Sequence, residues 1–115
     1  MAERRMFAKT VILSDDFLDM SASARCLYFC LGVVADDDGF VNNPKSIMRQ
    51  CCASSEDLQE LIDAGFIIRF DSGVIVIVHW LLNNYIRNDR YTPTKCVEEK
   101  ERIDLDENDV YSLTD

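Results

Sequence analysis

A chain of 115 residues with a net charge of −9 and 48% hydrophobic residues has room for one modest core, or one domain and a tail. No apolar run is long enough to cross a bilayer and the first residues carry no signal-type segment, so a cytoplasmic location and reduced cysteines are expected. The charge is uneven: residues 98–115 hold eight of the 21 acids and two of the 12 bases, a net of −6, so the body is only mildly acidic. Mild acidity permits local DNA contact but removes the general affinity of a basic domain.

Taken in order, Met6–Ile12 reads as a short strand or extended arm that could lie along a sheet as an extra strand. Ser14-Asp15-Asp16 marks a helix start, with Phe17, Leu18 and Met20 on the buried side. A long helix is predicted over about 21–35, with Ala24, Leu27, Cys30, Leu31 and Val34 on one face and Tyr28 at its border. Gly32 inside it suggests close packing against a neighbour. Asp36-Asp37-Asp38-Gly39 then ends the helix in a polar turn, and Phe40-Val41 suits a short strand.

The best-defined stretch is 40–80. Asn43-Pro44 opens one helix. Ser54 with Asp57 three residues on fits a capping pattern for a second, which carries Leu58, Leu61 and Ile62 at helical spacing and ends at Gly65. Phe66–Phe70 and Val74–Val78 are β-formers separated by Asp71-Ser72-Gly73, a hairpin signal. Helix, tight turn, helix and hairpin predict an α+β winged helix-turn-helix with a two- or three-stranded wing sheet over residues 4–94. Residues 95–115 read as an acidic extension, partly helical or disordered, and as a possible linker to a further domain. The expected core is Phe17, Leu18, Leu27, Tyr28, Leu31, Val34, Phe40, Ile47, Leu58, Leu61, Ile62, Phe66, Ile68, Val76, Val78 and Trp80.

Chemistry-bearing patterns are sparse. The one histidine, His79, has no nucleophile linked to it by pattern, and the isolated glycines make no phosphate loop, so no catalytic residue and no cofactor are expected. The Asp36–Gly39 run fails as a calcium loop, because an EF-hand alignment on Gly39 puts Val34 and Lys45 where carboxylates are required. Cys26, Cys30, Cys51 and Cys52 lack a zinc clip and suit core packing better.

For nucleic acid, the second helix of the pair carries Glu56, Asp57, Glu60 and Asp63 and no Lys or Arg, which opposes groove entry. The candidate phosphate contacts lie elsewhere: Lys45 and Arg49 one turn apart, Arg69 on the wing, and Arg87 and Arg90 flanked by Tyr85 and Tyr91. An equally weighted alternative is a solvated loop whose tyrosines anchor it to the body. The second hairpin strand is apolar on both faces and needs a cover, which points to a homo-oligomer through Phe7, Val11, Ile75 and Ile77.

The stretches FLDM (17–20), LYFCLGVVADDDGFVNNPKSIMR (27–49), GFIIRFDSGVIVIVHW (65–80) and NNYIRNDRYTPT (83–94) resemble the N-terminal domain of phage replisome organisers, relatives of the DnaD-like primosome proteins of low-GC Gram-positive bacteria. ADDDGFVNNP and NYIRNDRYTPT are the most specific parts. The resemblance implies a winged helix acting in replication initiation without enzymatic activity. It also implies oligomerisation by this domain, DNA affinity largely in a separate C-terminal domain, and an initiator, helicase or helicase loader as partner. A winged-helix transcriptional regulator and a pure protein-interaction module are the alternatives.

Overall fold

The computed structural model describes residues 4–114, an α+β chain with two small antiparallel sheets. The central element is α3 (Ala22–Val34). Ala24, Leu27, Tyr28, Leu31 and Ala35 are its buried stripe, so Tyr28 sits at the centre of the face and not at its border. Val34, expected in the core, is 46% exposed, and so is Leu18 in the short helix α2 (Asp15–Leu18). Helix α2 is capped by Ser14, which accepts from the Phe17 N–H.

Two helices pack on α3: α4 (Pro44–Gln50) and α5 (Ser55–Asp63). Helix α4 has Asn43 at its N-cap and Pro44 at its first position, although the Asn43 side chain makes no capping bond. The predicted capping box on α5 is present: Ser54 accepts from the Asp57 N–H, and the Asp57 carboxylate accepts from the Ser54 N–H. Gly65 follows at φ +86°, the left-handed position that ends such a helix.

The first sheet has strand order β1 (Phe40–Val41), β3 (Ile75–Ile77), β2 (Ile67–Arg69). Ile68 pairs with Val76 and Phe40 pairs with Val76 from the other side. β3 is thus the central strand, with both edges paired, and every residue of the surrounding β-branched run Val74–Val78 is buried. The cover comes from this chain. Short helix α7 (Val97–Lys100) leads into a second hairpin, β4 (Ile103–Leu105) and β5 (Tyr111–Leu113), with Ile103 and Tyr111 buried. The Tyr111 N–H donates to the Val78 carbonyl at 3.0 Å, and the Arg102 guanidinium lies 5.7 Å from the Phe70 ring centroid.

Three expectations are therefore corrected. Residues 97–113 do not fray: they form a helical turn and a docked hairpin, because two apolar residues in an acidic stretch suffice to seat it. The radius of gyration, 13.2 Å, is that of one compact body of this length. The N-terminal arm is not a sheet strand; it runs extended to Ala8 and then forms α1 (Lys9–Ile12). Phe7, Val11, Ile75 and Ile77 cannot form an oligomer surface as they stand. Val11, Ile75 and Ile77 are buried in the chain's own core, and Phe7 packs against Tyr28 and Phe29 with centroids at 6.0 and 5.0 Å. The neighbour anticipated for Gly32 is Phe7, whose ring would lie 2.6 Å from a β-carbon at that position.

Candidate nucleic-acid interface

The segment that carries the exposed arginines begins at α6 (Trp80–Asn83) and continues without regular structure to Tyr91. Both ends are fastened. At the first end, Asn83 lies between the Ala8 N–H, which donates to its carbonyl oxygen at 2.8 Å, and the Tyr28 hydroxyl, which accepts from its amide at 2.9 Å. Asn84 accepts from the Met6 N–H at 2.8 Å. Burial pushes the Tyr28 hydroxyl up to about 12, against the smaller opposing effect of the Asn83 bond.

The second end is held by the Asp36–Asp38 turn, which is a buried junction and not a solvated stop. Asp36 accepts from the Asp38 and Phe40 N–H groups, both at 3.0 Å, and from the Thr94 hydroxyl. The Asp37 carboxylate faces Arg5 at 3.2 Å, with side chains 0% and 4% exposed, and accepts from the Thr92 N–H at 2.9 Å. Its backbone carbonyl accepts from Trp80 Nε1 at 2.9 Å. Both Asp38 oxygens accept from the Tyr91 hydroxyl at 2.8 Å, one also takes the Thr94 N–H, and Lys100 Nζ lies at 3.3 Å. The Asp38 carbonyl accepts from the Tyr111 hydroxyl at 2.9 Å.

Three consecutive carboxylates are tolerable there because each meets N–H, hydroxyl or cationic donors that replace water. Tyr91 is raised by burial and by its bond to Asp38. Burial lowers Lys100, but its bond to Tyr91 and the Asp38 charge outweigh that, so its net shift is upward. One turn thereby joins the N-terminal arm, α6, the 91–96 segment and the second hairpin. It also brings ADDDGFVNNP and NYIRNDRYTPT into direct contact.

Between the fastened ends, Tyr85 is 83% exposed and Arg87 and Arg90 are exposed. The Arg90 N–H closes a turn on the Arg87 carbonyl at 2.9 Å. Arg87 reaches Asp89 at 3.5 Å, an open ion pair of little strength. The two tyrosines divide the alternatives: Tyr91 anchors the loop, while Tyr85 projects from it. Lys45 and Arg49 lie exposed on α4, and Arg69 is exposed on β2.

Helix α5 is less negative towards solvent than its sequence suggests. The Glu60 carboxylate accepts from the Ser21 N–H at 2.7 Å and from its hydroxyl at 2.9 Å, and Asp57 accepts from the Ser23 hydroxyl at 2.7 Å. Helix α3 has no acid in its first turn, and α5 supplies that complement to its dipole. The Asp57 carboxyl is held below its ordinary range first by the Ser54 N–H and then by Ser23. Glu56 and Asp63 remain exposed, with no cation on the helix.

Sequence reasoning missed Arg5, Thr92, Thr94, Trp80 Nε1 and Tyr111 as partners of the acidic turn. The available signal was electrostatic: three adjacent acids set between the apolar Ala35 and Phe40 need donors from somewhere. Among the described residues, no group of three or more His, Cys, Asp or Glu side chains is placed to hold a metal ion, and no helix is long and apolar enough to cross a membrane. The chain matches no family model, no curated protein and no solved structure.

Proposed function

We propose that this chain is a winged-helix module of DNA replication, similar to the N-terminal domain of phage replisome organisers and DnaD-like primosome proteins. It works without catalysis, docking weakly on DNA while a replication initiator, helicase or helicase loader is engaged. The order α3, α4, α5, β2, β3, with β1 completing a three-stranded sheet, supports the winged-helix reading. The observation that carries the DNA contact is the loop 84–90: Tyr85, Arg87 and Arg90 stand exposed on a segment tied down at both ends, whereas α5 presents no cation. A pre-ordered loop loses little entropy when its arginines meet phosphate, and Tyr85 offers a stacking face to any unpaired base.

Self-association belongs to the same reading but to a different surface from the one anticipated. The outer edge of β1 is capped by Asp36, which bonds the Phe40 N–H and C=O through its carboxylate and its own N–H. The opposite edge of the sheet, at β2, has no strand beside it among the described residues and is exposed at Arg69, while Ile67 is buried. Pairing of two β2 edges is the route to a dimer that this geometry favours.

The test is the salt dependence of binding to a short duplex. Replacing Arg87 and Arg90 by Ala lowers the slope of log K against log salt by roughly 1.8, two phosphates' worth. An unchanged slope removes the loop from the interface. Light scattering at tens of micromolar checks the dimer, and a strictly monomeric mass counts against it.

A further inference from the structure

Four of the five cysteines lie on the α3–α4 pair. Cys26 and Cys30 stand one turn apart on α3, and Cys51 and Cys52 close α4. Cys26 and Cys52 are exposed, while Cys30 and Cys51 are half-buried and pack against the same core. The Cys30 thiol has two sulfur neighbours, each within reach of a side-chain hydrogen bond: Cys51 first, then Cys26. Burial pushes Cys30 up to about 11, and both neighbours act in the same direction, so at neutral pH it is a thiol.

The backbone fixes where Cys51 sits. Cys52 takes the left-handed position at φ +58°, with its N–H donating to the Arg49 carbonyl at 3.4 Å. The Ala53 N–H donates to the Met48 carbonyl at 2.8 Å. This double closure stops α4 at Cys51 and holds it beside α3. The Cys51 thiol also donates to the Met48 carbonyl at 3.9 Å. Cys26 is a poorer partner for Cys30. Side chains four apart on a helix keep their β-carbons about 5–6 Å apart, against roughly 3.5–4.5 Å across a disulfide. Among the described residues these thiols are not placed to hold a metal ion.

We propose that Cys30 and Cys51 are a peroxide-responsive thiol pair that closes into a disulfide across the α3–α4 interface. Hydrogen peroxide transfers one oxygen to the Cys51 sulfur, leaving a sulfenic acid and a water. The Cys30 sulfur then attacks that sulfur, and its proton joins the departing hydroxide as a second water. The two thiols give up two electrons and two protons, and cleavage of the O–O bond takes them up. The link closes the segment that carries β1 and α4, including Lys45 and Arg49. It stands apart from the DNA reading and needs no nucleic acid.

The experiment uses the full chain with Cys26→Ser and Cys52→Ser, both at exposed positions, which keeps Cys30, Cys51 and Cys96. Treated with hydrogen peroxide in native buffer, it is expected to lose two hydrogens in mass. Digestion without reductant is expected to give one cross-linked pair, Cys30 with Cys51, which dithiothreitol separates. In concentrated urea the yield of that pair falls about threefold or more, because the fold no longer holds the sulfurs together. Cys51→Ser in the otherwise unchanged chain abolishes the link within the chain. The linked chain unfolds at higher urea concentration than the reduced one. A link through Cys96, a link between two chains, or sulfinic acid without a link overturns the proposal. So does an equal yield in urea, a link that survives Cys51→Ser, or an urea midpoint that does not rise.

Discussion

Asp37→Asn tests the buried junction most sharply. The substitution keeps an acceptor for the Thr92 N–H but removes the negative charge facing Arg5. The Arg5 side chain is 4% exposed; its guanidinium donates to the Ala35 carbonyl at 2.8 Å and lies 5.3 Å from the Trp80 ring centroid. Among the described residues, its Nε and Nη1 have no hydrogen-bond partner and Asp37 is the only opposing charge it meets. Losing one partner of a buried pair costs about 3–5 kcal/mol when the other ion stays buried. Here a ceiling applies, because Arg5 is on an arm that can leave. The cost cannot exceed the free energy that docks residues 4–8, namely the seat of Phe7 on Gly32 and two N–H bonds to Asn83 and Asn84. A loss of about 3 kcal/mol is expected, lowering Tm by roughly 12 °C. Urea unfolding of wild type, Asp37→Asn, Arg5→Met and the double variant gives the coupling. The double variant is expected to lose less than the sum of the singles by about 1.5 kcal/mol or more. Additive losses below about 0.5 kcal/mol each would refute the claim that this pair is buried and coupled.

The remaining predictions concern glycine and pH. Gly39 has φ +93°, and a β-carbon there would lie 2.5 Å from Trp80 Cγ, so Gly39→Ala costs roughly 3 kcal/mol in denaturant unfolding. Gly73, at φ +90° with open space around it, costs only about 1 kcal/mol for the same change; equal losses at the two sites would contradict the packing described. Tyr28 is raised from 10.0 to about 12 by burial, so its contribution is complete below pH 10. It is lost as pH rises towards the folded value, because the unfolded chain gives up its proton first, at about 3 kcal/mol in all. Tyr111, also raised by burial first, acts in the same direction. Unfolding free energies at about pH 9 and about pH 11 measure the fall, and a flat profile would count against burial of both rings.

Much of the middle of the chain was legible because its signals are local. Ser54 with Asp57, Asn43-Pro44, Gly65 and the Asp71–Gly73 turn each specify their own backbone geometry, and the structure has each where the residues point. What was not legible depends on partners distant in sequence. The run Val74–Val78 looks as if it has one apolar face too many until residues 97–113 are seen docked against Val78 and Phe70. Asp36–Asp38 look like a solvated stop because their donors are Arg5, Thr92, Thr94 and Tyr111, up to 73 residues away. Asp57 and Glu60 read as a repulsive surface because nothing in α5 says that the start of α3 will take them. For the candidate site, the sequence put Tyr85, Arg87, Arg90 and Tyr91 on one segment. It could not separate Tyr85 from Tyr91, since exposure of 83% against 37% is decided by Asp38.

The central claim is that the fastened 84–90 loop, and not α5, meets nucleic acid. The direct measurement is amide-shift mapping of the ¹⁵N-labelled chain against a short duplex and a short single strand at low salt. Shifts confined to residues 84–90, reversed by added salt, are the predicted result. Shifts centred on Ser55–Asp63, with the loop unmoved, would contradict it.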